Sequence, residues 1–158
     1  MDAGCLGLLG DVAVMHSNED RSQSRVFGEV AEIYHRYRPA YPDSLFEWIL
    51  ATCETSTSDL VIDVGCGTGK ASAPLLEQGF EVLGLEPDPA MAEIARRELG
   101  GFGLFSVDES TLEECTTVER HAGLIIAGQS WHWTNPDTRF QRAASIPRCA
   151  LKLSLIHI

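Results

Sequence analysis

A short apolar run, Leu60-Val-Ile-Asp-Val64, passes directly into Asp63-Val-Gly65-Cys-Gly67-Thr-Gly69 and then into a segment with helical patterning. Branched apolar residues in a run this short predict a strand buried on both faces. Glycines immediately after such a strand let the backbone turn sharply and approach a bound group. The next helix adds free N–H groups and the positive end of its dipole, so the loop suits an anion. This strand–glycine loop–helix unit predicts a parallel α/β sheet and excludes most other architectures.

The rest of the chain follows the same alternation. Strands are expected at Phe80 to Leu85, Phe102 to Val107 and Ala122 to Ala127, with helices at Lys70 to Gln78, Asp88-Pro89 to Leu99 and Pro136 to Ser145. Proline suits the first turn of the middle helix, and Gly100-Gly101 should end it. Two further helices precede the sheet. Val26 to Tyr37 carries apolar residues at helical spacing, and Arg38-Pro39-Ala-Tyr41-Pro42 stops it before a helix from about Ser44 to Cys53. The fold class expected is therefore a Rossmann-like parallel sheet with helices on both faces.

Two details of the loop identify its ligand. A dinucleotide fingerprint reads Gly-x-Gly-x-x-Gly, but here the third glycine comes one residue sooner and Lys70 takes the fingerprint's glycine position. Asp63 just before the loop suits an ammonium group and would repel a pyrophosphate. An ammonium beside a carboxylate is an amino acid. At the end of the second strand stands Glu86, 17 residues after Gly69, where a carboxylate can accept from both ribose hydroxyls. Amino acid at one end and nucleoside at the other describe S-adenosylmethionine. The competing readings are a nicotinamide-dependent oxidoreductase and a non-catalytic cofactor-binding module.

Four segments resemble the class I S-adenosylmethionine-dependent methyltransferases, and among them the small-molecule, trans-aconitate methyltransferase-like group. They are Phe27 to Pro42, Ile62 to Lys70, Leu85 to Met91, and Gln129-Ser-Trp131-His132-Trp133-Thr-Asn-Pro136. The resemblance implies that Asp63, Gly65, Gly67 and Gly69 hold the methionine part and Glu86 the ribose. It also implies that Pro87 and Met91 flank the adenine, with Thr111 and Leu112 beside it, and that Tyr34 and Arg38 close over the cofactor. Gln129, Trp131 and Trp133 follow the fourth strand, at the mouth where parallel sheets bind ligands; they are candidate walls of an acceptor pocket. His132 is the candidate general base.

Composition narrows the partners. The 158 residues carry 23 acidic against 12 basic side chains, a net charge of -11, which disfavours nucleic acid. The acceptor expected is a small molecule, with no obligate protein partner. No apolar run reaches the roughly 18 residues of a membrane span. The five cysteines include no Cys-x-x-Cys, and neither they nor the histidines show metal spacing, so no metal and a reducing, cytoplasmic setting are expected. Residues 1–25 are expected to be a disordered or mis-assigned extension, with Met15 the true start, ahead of a methyltransferase domain over 26–148. The family's sheet has seven strands, and about four are expected here. Leu153 to Ile158 resembles the translation of a transposon end used in library preparation, so 149–158 is expected to be a non-native tail, leaving the fourth strand an unpaired edge.

Overall fold

The computed structural model describes residues 31–116 and 122–146 and the backbone of the strand Leu153–Ile156. The expected extension 1–25 lies outside the described residues. Residues 26–30 of the expected first helix also lie outside them, and the helix described is Ala31–Tyr37 (α1). Helix α2 is Asp43–Thr52 and strand β1 is Leu60–Val64; α3, β2 and α4 follow at Ala73–Glu77, Glu81–Leu85 and Pro89–Leu99. Then come β3 (Phe105–Asp108), β4 (Ala122–Gly128), α5 (Arg139–Ser145) and β5 (Leu153–Ile156). The strands form one parallel sheet in the order β3-β2-β1-β4-β5.

Side-chain alternation along β1 feeds two cores. Val61 packs with Val82, Leu124 and Ile126 beneath Phe46, Ile49 and Leu50 of α2 and Leu75 and Leu76 of α3. Leu60, Ile62 and Val64 face the other way, onto Ile125, Ala127, Leu112 and Ala143 of α5. All five residues of β1 are buried, as expected of a central parallel strand covered on both faces.

Three elements depart from the expected boundaries for identifiable reasons. Helix α3 begins at Ala73, not Lys70. Ala73 N–H donates to the Gly69 carbonyl at 3.0 Å, but Pro74 cannot donate to the next one, so Gly69 to Ser72 form a turn and regular helix starts only at Ala73. Helix α4 runs into a 3-10 turn at Gly100–Phe102 that Gly103 ends with φ +68°, so β3 starts only at Phe105. Pro136 to Thr138 lie outside α5, because Trp131–Trp133 form a separate 3-10 turn before it.

The expected sheet edge is corrected. The Rossmann-like parallel sheet is as expected, but its fourth strand, expected to be an unpaired edge, is paired: Ile125 to Gly128 of β4 pair with Leu153 to Ile156, within the stretch expected to be a foreign tail. A strand pairs through backbone N–H and C=O groups, which every non-proline residue supplies. Among the described residues no helix is long and apolar enough to cross a membrane.

Asp88 starts α4 by accepting from the N–H groups of Ala90 (2.9 Å) and Met91 (3.2 Å), while Pro89 occupies the first turn. Asp88→Ala should therefore cost about 1–2 kcal/mol in urea denaturation, and Asp88→Asn much less.

Candidate functional site

The carboxyl ends of β1, β2 and β4 open into one cavity of about 270 Å³. Its floor is Gly65 and Gly67; its sides are Leu85, Glu86, Pro87 and Met91 after β2, and Ser110 to Glu113 after β3. Gly128 to Ser130 and His132 to Thr134 line it beyond β4, and Tyr34 and Arg38 from α1 and its C-terminal edge complete it. Of the residues singled out from sequence, Gly65, Gly67, Glu86, Pro87, Met91, Thr111, Leu112, Tyr34, Arg38, Gln129, His132 and Trp133 thus share one cavity.

Glu86 binds the structure together. It is buried, and its two oxygens accept from the backbone N–H of Gly67 (Oε2, 2.8 Å) and of Asp88 (Oε1, 2.9 Å). One carboxylate therefore fixes the glycine loop to the turn that opens α4, and each oxygen keeps a further lone pair. Burial pushes its carboxyl up to about 6, against the pull of those two N–H groups.

Gly65 has φ +65°, and a side chain there would lie 2.5 Å from the Cβ of Ser130. Only glycine lets the ends of β1 and β4 meet this closely. Ser130 Oγ in turn donates to the carbonyl of Val64. Gln129, before it, has φ +58°, an uncommon state for a residue with a side chain. Arg38 Nη2 donates to Gln129 Oε1, and the Arg38 guanidinium lies 5.2 Å from the Tyr34 ring centre. The N-terminal helix is thereby latched to the segment after β4 across the cavity mouth.

Three expected site residues are placed elsewhere. Asp63 does not line the cavity. It is buried beneath the loop with Oδ2 accepting from Ser72 Oγ at 2.8 Å and Oδ1 without a partner, because strand alternation turns it onto the α3 face. Burial, aided by the charge of Glu86, pushes its carboxyl up to about 7. Gly69 also stays out of the cavity. Its φ is +87°, and a side chain there would run into Leu99 of α4, so it serves the turn and the packing.

Trp131 is buried against Phe140 (ring centres 5.4 Å apart) and the core beneath α5. The tight 3-10 turn sends it inward while the exposed His132 and half-buried Trp133 reach the cavity, their rings 4.6 Å apart. Cys66 is buried within the loop with its thiol pushed well up by burial, so it stays protonated.

The whole turn Ser110 to Glu113, which resembles the family's segment beside the adenine, lines the cavity, together with Val64, Gly128 and Thr134, to which sequence reasoning gave no role. Glu113 Oε1 accepts from Asn135 N–H at 2.6 Å, joining the two flanking loops. Such a contact between distant segments has no local signature, whereas Thr111-x-x-Glu114 is a capping-box pattern that could have marked the turn.

The family follows from comparison with known proteins. A sequence profile described as a methyltransferase domain matches residues 61–149. The chain belongs to this methyltransferase family. It is 29% identical over 136 residues to an uncharacterized methyltransferase of Mycobacterium tuberculosis, covering 86% of this chain and 53% of that protein. It is 32% identical over 119 residues to the probable S-adenosylmethionine-dependent methyltransferase CRG1 of Saccharomyces cerevisiae, covering 73% and 40%. A crystal structure of a Methanococcus maripaludis protein assigned to the S-adenosylmethionine-dependent methyltransferases superposes with a TM-score of 0.67 at 21% identity, covering 86% of this chain and 63% of that one. The chain spans about half the length of the curated relatives it matches first.

The cofactor of this methyltransferase class is S-adenosylmethionine, and the residues present fit that molecule. Glu86 offers acceptor lone pairs for ribose hydroxyls, and Leu85, Pro87, Met91 and Leu112 offer apolar surface for a flat base. The open space at Gly67, where a side chain would meet nothing within 4 Å, leaves the loop accessible.

The two raised carboxyls give a pH dependence of definite sign. Raised folded-state values favour the protonated forms, so stability falls as pH rises from the unfolded values near 4 to about 6 for Glu86 and about 7 for Asp63. The ligand-free protein should melt higher at pH 5.5 than at pH 7.5, and Asp63→Asn should flatten that slope. A melting temperature equally pH-dependent in the variant would show that Asp63 does not carry it.

Proposed function

We propose that these residues form the cofactor half of an S-adenosylmethionine-dependent methyltransferase acting on a small molecule of the kind taken by the trans-aconitate methyltransferase-like group. The observation that carries this reading is Glu86, whose carboxylate joins the glycine loop to the α4 turn while facing the same cavity as Gln129, His132 and Trp133. One wall suits a nucleoside, and the opposite wall presents groups suited to an acceptor.

When bound, the cofactor supplies an electrophilic methyl group on a sulfonium. The chain's part is to bind, orient and exclude water. Gly65 and Gly67 hold the amino-acid end against the loop, Glu86 accepts from the ribose, and Leu85, Pro87, Met91 and Leu112 cover the base. Tyr34 and Arg38 cover the mouth; the Arg38 guanidinium, held by one amide, keeps donors for a carboxylate. Trp133 and His132 sit where the acceptor must approach, and the tryptophan lowers water access there.

The acceptor decides whether a base is needed. A carboxylate is already an anion at neutral pH, so orientation for in-line attack suffices. A hydroxyl or carbon acceptor must lose a proton, and on this reading a ring nitrogen of His132 takes it. The net charge of -11 supports a small-molecule acceptor over nucleic acid, and a cytoplasmic setting is part of the same proposal.

Two measurements test this. Calorimetric titration with S-adenosylhomocysteine should show binding that Glu86→Ala weakens about 10- to 100-fold, whereas NADH should not bind; the reverse preference would overturn the reading. In a complete enzyme carrying this half, His132→Ala should lower turnover of a hydroxyl or carbon acceptor by about 100-fold. It should leave both carboxylate methylation and cofactor affinity unchanged. Unaltered turnover of a hydroxyl acceptor would remove His132 from catalysis.

A further inference from the structure

One wall of the cavity is a single turn of helix, and a single turn cannot hold itself. Glu114 N–H and Cys115 N–H both donate to the carbonyl of Thr111, at 3.2 and 3.0 Å. Nucleating a helix fixes several residues for very few hydrogen bonds, so an isolated turn is unstable in water. Its N-terminal donors and C-terminal acceptors must be satisfied from outside.

At the N-terminal end the turn satisfies itself. Thr111 Oγ1 donates to Glu114 Oε2 at 2.9 Å, and Thr111 N–H donates to the same oxygen at 3.3 Å. Glu114 N–H returns a bond to Thr111 Oγ1 at 3.3 Å. This is a reciprocal capping box. The C-terminal carbonyls depend on a residue 27 or more positions away. Arg142 of α5 donates from Nε to the carbonyl of Leu112 at 3.1 Å and from Nη2 to the carbonyl of Cys115. Arg142 Nη1 also donates to Ser145 Oγ at 3.2 Å, within its own helix, which steadies the guanidinium.

Packing reinforces this clamp. Leu112 and Cys115 are buried in the same core as Ala143, the neighbour of Arg142. Ser110, Thr111, Leu112 and Glu113 all line the cavity. The Ser110 hydroxyl is buried and has no partner.

We infer that Arg142, which lines no part of the cavity, is a positioning residue for cofactor recognition: it caps the C-terminal end of the 111–115 turn and so fixes the wall that meets the base. This rests on the cofactor reading above. A planar guanidinium fork can reach two carbonyls at once, whereas a lysine ammonium on its single stem cannot reproduce that geometry. Loss of the clamp should loosen the turn while leaving β1, the glycine loop and Glu86 in place. Discrimination at the base should fall more than overall affinity, because a site rejects the wrong base only when its polar groups are held where they go unpaired.

The test uses the full chain with Arg142→Ala, Arg142→Lys and Arg142→Gln. Two ligands are titrated: S-adenosylhomocysteine, and its inosine counterpart in which an oxo group replaces the base amine. The intact chain should prefer the adenine ligand by about 10-fold, the value of one hydrogen bond. Arg142→Ala should compress that preference to about 2-fold, with lysine recovering only part of it. Hydrogen exchange should quicken by about 10-fold or more at Glu114 and Cys115 and remain unchanged in β1 and β2.

If Arg142→Ala does not fold, Arg142→Gln and Arg142→Lys carry the same comparison. Unchanged base preference in a folded variant would overturn the proposal and leave the cofactor reading intact. Exchange that rises equally in β1 and β2 would also overturn it, since Arg142 would then serve global stability alone. No binding of either ligand by the unsubstituted chain would overturn both.

Discussion

The Glu86 carboxylate ties together parts of the chain that sequence separates. Its oxygens take the N–H of Gly67 from the loop after β1 and the N–H of Asp88 from the turn after β2. Backbone donors at the start of helices and in glycine loops are left over by secondary structure, and a buried acceptor must satisfy them. Glu86 satisfies one on each side, so the glycine loop is shaped by the adjacent strand end. Asp88 extends the chain of contacts by capping α4, whose Met91 and Ile94 support α1 through Ala31 and Tyr34. The glycine loop, α4 and α1 therefore depend on one carboxylate.

The same arrangement costs stability. Two carboxyls, Asp63 and Glu86, lie buried near each other, and neither has a basic partner among its principal interactions. Burial disfavours both charges; Glu86 adds to the cost at Asp63, and Asp88 adds to the cost at Glu86. Two ribose hydroxyls donating to Glu86 would offset part of this cost, whereas Asp63 lies outside the cavity, held by Ser72. The site is thus electrostatically complementary to its proposed ligand before the ligand arrives, the usual basis of preorganised recognition.

Much of this was legible in the sequence because it depends on local chemistry. The buried run of β1, the shortened glycine spacing, the Asp88-Pro89 helix start and Glu86 at a strand end each follow from residues a few positions apart. What the sequence hid depends on three-dimensional packing. Asp63 reads as a cavity carboxylate, but strand alternation turns it beneath the loop toward Ser72. Trp131 and Trp133 look equivalent, yet the 3-10 turn buries one and leaves the other in the cavity. Gly69 reads as part of the cradle and instead makes room for Leu99. The pairing of Leu153–Ile156 with β4 escaped notice because backbone hydrogen bonding carries no residue-type signal. Arg142 was invisible for the same reason, since its acceptors are backbone carbonyls of a distant turn.

The central claim is that Glu86 is both the strut of the glycine loop and the acceptor for the ribose. A crystal structure of the chain with S-adenosylhomocysteine tests it most directly. The account predicts both ribose hydroxyls within hydrogen-bond distance of the Glu86 carboxylate, with the bonds from Gly67 and Asp88 retained. A ligand whose ribose lies away from Glu86, or a glycine loop that keeps its shape after the Glu86 contacts are lost, would contradict it.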